Sequence, residues 1–183
     1  MIKANLLVGL SKLAATHDVR YYLNSIYYCD GELIATDGNI LGILKTDLKL
    51  DKNFIIPLDL IKNLKRSTKK QPGYVDIAIN DDVVTLTQNG STYSAAAINT
   101  SYPNFKKCIP ESYQAGTAFF DIALIAKLHA AIKLMYPTIK AVITPNGEKS
   151  RGSMIQLPDF TGLIMPIRVE DHLKKWGGYY EKT

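Results

Sequence analysis

Apolar positions recur along this chain in three blocks, each with the same change of period. Leu6, Leu7, Leu10, Leu13 and Ala14 fall at helical spacing and predict a helix over 5–15. Leu58, Ile61 and Leu64 share a face and predict a second over 58–69. Ile122, Ile125, Leu128 and Ile132 predict a third over 122–135. Asn5 and Asp121 stand where N-caps are expected, and Pro57 suits the entry to the second helix.

After each helix the pattern shortens to strands. The first is followed by segments 20–29, 32–36 and 40–44, punctuated by Asp30-Gly31 and Asp37-Gly38. The second is followed by 75–80, 83–88 and 92–98, punctuated by Asp81-Asp82 and Asn89-Gly90. The third is followed by 139–144, 153–157 and 162–169, broken at Pro145-Asn146-Gly147 and Pro158-Asp159. The result is an α+β chain of three helix-plus-antiparallel-sheet repeats, each about 60 residues long. Their expected bounds are about 1–52, 53–111 and 112–169, with a tail at 170–183. One such unit cannot bury both of its apolar faces, so the units must pack side by side. Three is an odd number, and one unit is left without an internal partner.

Composition narrows the function. With 46% hydrophobic and 21% charged residues the chain reads as an ordinary globular protein. No stretch approaches the roughly 20 apolar residues of a membrane span. The opening segment is too polar for a signal peptide, and a cytoplasmic location is expected. Cys29 and Cys108 have no metal-ligand spacing and are expected to be reduced. His17, His129 and His172 are isolated, and no nucleophile elbow or phosphate-binding loop appears, so neither an enzyme nor a metal or cofactor site is expected. Asp30, Asp37, Asp81 and Asp82 fall in turns, the commoner place for aspartate.

The net charge of +5 points to a polyanion only through its placement. Lys3, Lys12, Lys62, Lys65, Arg66, Lys69, Lys127 and Lys133 all lie on or beside the three helices, with little opposite charge among them. That pattern fits a phosphate-facing surface. No cluster is arranged to read base edges, which leaves sequence-independent contact with duplex DNA.

Two runs near the start, HDVRYYLN at 17–24 and ATDGN at 35–39, are followed by YPNFKKCIP at 102–110 and IMPIRV at 164–169. In this order they resemble the bacterial DNA sliding clamp, the beta subunit of DNA polymerase III. Residues 1–111 are similar to that family's middle domain, and 112–169 to the second half of its third domain. The resemblance implies a clamp fold, a ring around duplex DNA, and a hydrophobic cleft that takes short peptides of polymerase and clamp-loader subunits. By position it assigns that cleft to Arg20, Leu23, Thr36, Gly38, Leu41, Pro103, Leu163, Met165, Pro166, Ile167 and Arg168. Apolar walls, a flexible Met and arginines at the rim suit such a site.

There are departures from the family pattern. Asn39-Ile40 stands where the family has His-Arg, Cys108 follows Lys107 where an aliphatic is usual, and the chain runs on through Trp176, Tyr179 and Tyr180. Family rings contain twelve helix-plus-sheet units, so four chains of three would close one, with a dimer as the simpler assembly. Two other roles fit the same residues: a decoy or adaptor that captures clamp-binding peptides, or a cap on a host's own clamp. So short a form suggests a phage or plasmid origin.

Overall fold

Strand pairing in this protein does not follow the boundaries of the repeats. A computed structural model describes residues 1–68, 73–112, 114–147 and 151–167. The first unit contributes β1 (Ile2–Lys3), α1 (Ala4–Ser11), β2 (Ser25–Cys29), β3 (Glu32–Thr36) and β4 (Ile40–Lys45). The second contributes β5 (Phe54–Pro57), α2 (Leu58–Ile61), β6 (Tyr74–Asn80), β7 (Val83–Gln88) and β8 (Ser91–Ala96). The third contributes α3 (Ile122–Met135), β9 (Ser153–Leu157) and β10 (Phe160–Ile164). One sheet runs β5-β2-β3-β4-β10-β9 and the other β1-β6-β7-β8, with every pairing antiparallel. Each of the first two units thus lends its opening strand to the other's sheet. The third joins by setting β10 along β4, with Leu163 opposite Leu41 and Gly162 opposite Gly42.

The turn residues do what their chemistry predicts. Asp30 and Gly31 have φ of 48° and 82°, and Asn89 and Gly90 have 50° and 79°. Two successive left-handed residues match the twist of the strands they join.

Between the sheets and helices lies one continuous core that includes Leu7, Leu10, Tyr28, Ile56, Leu86, Leu128, Ile132 and Phe160. Helix α1 packs on α3 at Gly9, where an added Cβ would stand 2.3 Å from Met135 Cγ and 3.0 Å from the Ala131 carbonyl oxygen. The missing side chain is what lets the two helices approach.

The third helix forms as expected, and Asp121 caps it by accepting from the Ala123 N–H at 2.7 Å. The first two are shorter than their apolar periods predicted. α1 ends at Ser11, and Leu13 to Ala15 stay buried in turns beyond it. Asn5 lies inside this helix, and its side chain bonds both the N–H and the carbonyl of Ser67. α2 stops at Ile61, because buried Gln88 takes over the backbone of Lys65. The Lys65 N–H donates to Gln88 Oε1 at 2.8 Å, and Gln88 Nε2 donates to the Lys65 carbonyl at 2.7 Å. These side chains offer the backbone an alternative to helical bonds.

Three strand expectations also change. β2 begins at Ser25 because Tyr21–Leu23 form a 3-10 turn, pinned by Asn24 bonding the Asp18 backbone in both directions. Segment 139–144 forms no strand beyond a single bridge from Thr144 to Met154. Its Val142 is 73% exposed, while Ile143 packs against the core. β10 runs 160–164 rather than 162–169; Pro166, with no N–H, soon follows. Residues 168–169 and the tail lie outside the described residues.

Candidate functional site

A cavity of about 180 Å³ opens where β4 meets β10. Eight of the eleven residues expected at the cleft line it: Arg20, Leu23, Thr36, Gly38, Leu41, Pro103, Leu163 and Met165. They come from four separate stretches of sequence, and the β4–β10 junction brings them together. Leu41 and Leu163 are cross-strand partners, and a small cluster of Ile34, Ile43 and Phe105 packs with them. Pro166 and Ile167 do not line the cavity. Ile167 instead donates its N–H to the Phe119 carbonyl at 2.8 Å. Arg168 lies outside the described residues.

The rim is held rigidly. Arg20 donates from Nε and Nη2 to the two carboxylate oxygens of Asp18, at 3.0 and 2.8 Å, and its N–H adds a third bond at 2.8 Å. These bonds hold the Asp18 carboxyl down to about 2. Gly38 has φ of 97°, and a Cβ there would lie 3.5 Å from the Arg20 guanidinium. That distance is an ordinary contact, so it is the backbone angle, which only glycine adopts without strain, that fixes the residue here.

The Thr36-Asp37-Gly38 turn is tied on both sides. Thr36 Oγ1 donates to the Ile40 carbonyl at 2.6 Å and accepts the Gly38 N–H at 3.0 Å. Asp37 Oδ1 accepts the N–H groups of Asn39 and Ile40, each at 2.8 Å. Its Oδ2 meets Lys127 Nζ of α3 at 2.6 Å, and that ammonium also donates to the Ala14 carbonyl at 3.0 Å. The third unit therefore braces the turn at the cavity as well as supplying β10.

Sequence reasoning missed Tyr22, Tyr102, Phe105 and Cys108, which also line the cavity. All four lie inside the runs 17–24 and 102–110 that supplied Arg20, Leu23 and Pro103, so the signal was membership of the same motifs. Tyr102 stacks on Tyr27 with ring centroids 4.6 Å apart, and its buried hydroxyl has no hydrogen-bond partner among the described residues. Burial first, then the neighbouring Tyr22 and Tyr27, pushes that hydroxyl above the ordinary tyrosine range. Cys29 and Cys108 are free thiols.

The expected basic residues are distributed less simply. Lys3, Lys12, Lys65, Arg66 and Lys133 are exposed. Lys62 is exposed but paired with Asp59 at 2.6 Å, and Lys127 is the half-buried brace just described. Lys133 Nζ donates to the Pro137 carbonyl at 2.7 Å. Lys65 and Arg66 follow α2 rather than ride on it, and Lys69 lies outside the described residues. Among the described residues no group of three His, Cys, Asp or Glu is placed to hold a metal ion, and no helix is long and apolar enough to cross a membrane.

No protein-family model matches the chain. A curated beta sliding clamp from Borreliella burgdorferi is 29% identical over 119 residues, which span 61% of this chain and 30% of that protein. Among solved structures, the DNA polymerase sliding clamp of Pseudomonas aeruginosa superposes with a TM-score of 0.71 at 16% identity. It covers 90% of this chain and 64% of its own. The DNA polymerase III subunit beta of Borrelia burgdorferi gives 0.69 at 19% identity, with 90% and 60% covered. The Bacillus subtilis sliding clamp gives 0.68 at 16%, with 91% and 63% covered. The chain has the fold of the DNA polymerase III beta sliding clamps, and it spans less than two thirds of the length of the relatives it matches.

Proposed function

We propose that this chain, which carries the sliding-clamp fold in a shorter form, is itself a DNA sliding clamp: a non-catalytic processivity factor that surrounds duplex DNA and holds partner peptides in its cleft. The observation that carries the reading is the cavity at the β4–β10 junction. Apolar side chains from all three units form its walls, and a fixed guanidinium stands at its rim. That suits a short peptide with an apolar or aromatic end and a polar group such as Gln, as polymerase and clamp-loader subunits would present. Arg168, Pro166 and Ile167 belong to the segment just beyond and would meet the peptide's outer end.

The exposed cations on and beside the helices, Lys3, Lys12, Lys65, Arg66 and Lys133 with Lys69, would face the phosphates. Around DNA the protein acts as an assembly in the cytoplasm. The outer side of α3 supports this, for Ile122 is 80% exposed, and Ile125 and Ile139 edge a groove of about 360 Å³. Pairing of that face with its counterpart in a second chain buries it. Because the same surface serves both partners, the contact is isologous. Four chains then make a closed ring of about 81 kDa, four times the 20.3 kDa chain.

One observation favours a second reading. Lys62 and Lys127 already have carboxylate partners, which reduces the charge left for DNA. A decoy or adaptor needs the cleft alone. Both readings require the cleft to bind, so its test comes first. A short Gln-containing peptide with an apolar end is expected to bind with micromolar affinity. Leu23→Ala with Met165→Ala should weaken it by about 2 kcal/mol in calorimetric titration. Unchanged affinity in a folded double variant would remove the cleft from both readings. Retention on closed circular DNA then separates clamp from decoy.

A further inference from the structure

We infer that the free edge of β8 is a second self-association surface, where β8 of one chain pairs antiparallel with β8 of another. The two sheets of the first two units are built to one plan. Their strand orders, β5-β2-β3-β4 and β1-β6-β7-β8, put β4 and β8 at equivalent outer edges. β10 is the last strand of the third unit, as β4 and β8 are of theirs. Within the chain, β4 is covered by β10 in five consecutive antiparallel pairs, from Phe160 opposite Leu44 to Ile164 opposite Ile40. The junction already present therefore joins one unit's last strand to another's. β8 has the same place and no strand beside it among the described residues.

Its composition does nothing to prevent pairing. Exposed edges are normally protected by lysine, proline, a bulge or shortness. β8 reads Ser91-Thr92-Tyr93-Ser94-Ala95-Ala96, six residues in unbroken register with β7, without a charge or a proline. The outer face beside it is neutral and level, with Thr85 bonded to Ser94 and Thr87 to Thr92 through their hydroxyls. Val83, opposite Ala96, leaves an apolar side chain 44% exposed at the same edge.

Register follows from hydrogen-bond parity. The two-residue Asn89-Gly90 turn makes Gln88 and Ser91 a bonded pair, and bonded pairs alternate from there. Ser91, Tyr93 and Ala95 therefore spend their backbone groups on β7. The bond from the Ala97 N–H to the Asp82 carbonyl continues the same alternation. Thr92, Ser94 and Ala96 turn theirs outward. Two copies use all three outward residues only when Ser94 faces Ser94 and Thr92 faces Ala96. That register also sets each Tyr93 against Ala95 of the other copy, a large side chain beside a small one.

This contact deepens the ring reading by giving the chain a second isologous face, and it stands if the contact through α3 fails. Proline at position 94 removes an outward N–H and the hydroxyl that meets Thr85, but no backbone bond to β7, so the β7 ladder survives Ser94→Pro. The full-length chain, its Ser94→Pro variant, and Ser94→Lys and Ser94→Glu variants are compared by light scattering at tens of micromolar. Circular dichroism melting checks each fold. The expected result is half the wild-type mass for each single variant, and the wild-type mass again for an equimolar mixture of Lys and Glu variants. A fall from about 81 to about 41 kDa supports both contacts. A fall from about 41 to about 20 kDa supports the β8 contact and removes the one through α3. A wild-type monomer, or a mass unchanged in folded Lys and Glu variants, overturns the inference. The charged pair keeps the test open if the proline variant does not fold.

Discussion

Gln88 decides where the second helix ends. It is 4% exposed, and both ends of its amide are taken by the backbone of Lys65. Gln88→Leu keeps the volume and removes both partners from a part-buried N–H and carbonyl. Such groups cost about 1–3 kcal/mol each. A loss of about 2 kcal/mol is expected, read as a lower urea midpoint with unchanged slope. Asp18 is half-buried, and its effect is on orientation. Its folded pKa of about 2 lies below the ordinary 3.8, so what the ion pair with Arg20 contributes is present above 3.8 and lost as pH falls through about 2. Carboxyl NMR should show Asp18 titrating well below the other aspartates, and returning toward 3.8 in Arg20→Ala.

At the scale of elements, the α1–α3 contact rests on Gly9. Gly9→Val places methyl groups where Met135 and the Ala131 carbonyl already stand. Overpacking of this kind costs about 1–3 kcal/mol. Because α3 also holds Asp37 through Lys127, the same variant should weaken cleft binding without touching a cleft residue. Titration at a temperature where the variant is folded checks this.

The elements that the sequence made legible are those with local causes. α3 has its own cap and its own period, and the hairpins at Asp30-Gly31 and Asn89-Gly90 have their own turn residues. The lengths of α1 and α2 were not legible, since the competing bonds come from side chains far along the chain, 62 residues away in the case of Asn5 and Ser67. The cleft could be listed because its motifs resemble a known family. That Lys127 braces it, rather than standing free, depends on a carboxylate 90 residues distant. No periodicity carries that information.

For the whole molecule, the DNA reading makes a quantitative demand. Replacing Lys3, Lys12, Lys65 and Arg66 by alanine removes four exposed cations while sparing Lys127 and the cleft. Retention on closed circular DNA should fall and lose much of its salt dependence, since log affinity varies with log salt in proportion to the phosphates neutralised. Peptide affinity should not change. Retention unaltered by this variant would move the DNA-facing surface elsewhere.

The β4–β10 junction also bears on how the protein is made. A nascent chain emerges from its N-terminus, and domains generally fold as their residues appear. Here Ile2 waits for Val75 before β1 has a neighbour, and Leu41 waits for Leu163. During synthesis, the first unit exposes the bare edge of β4 until residues 160–164 have left the ribosome. The cleft then forms in the step that covers this edge. A molecule released before residue 160 lacks β10, and with it the wall that Leu163 and Met165 give the cavity.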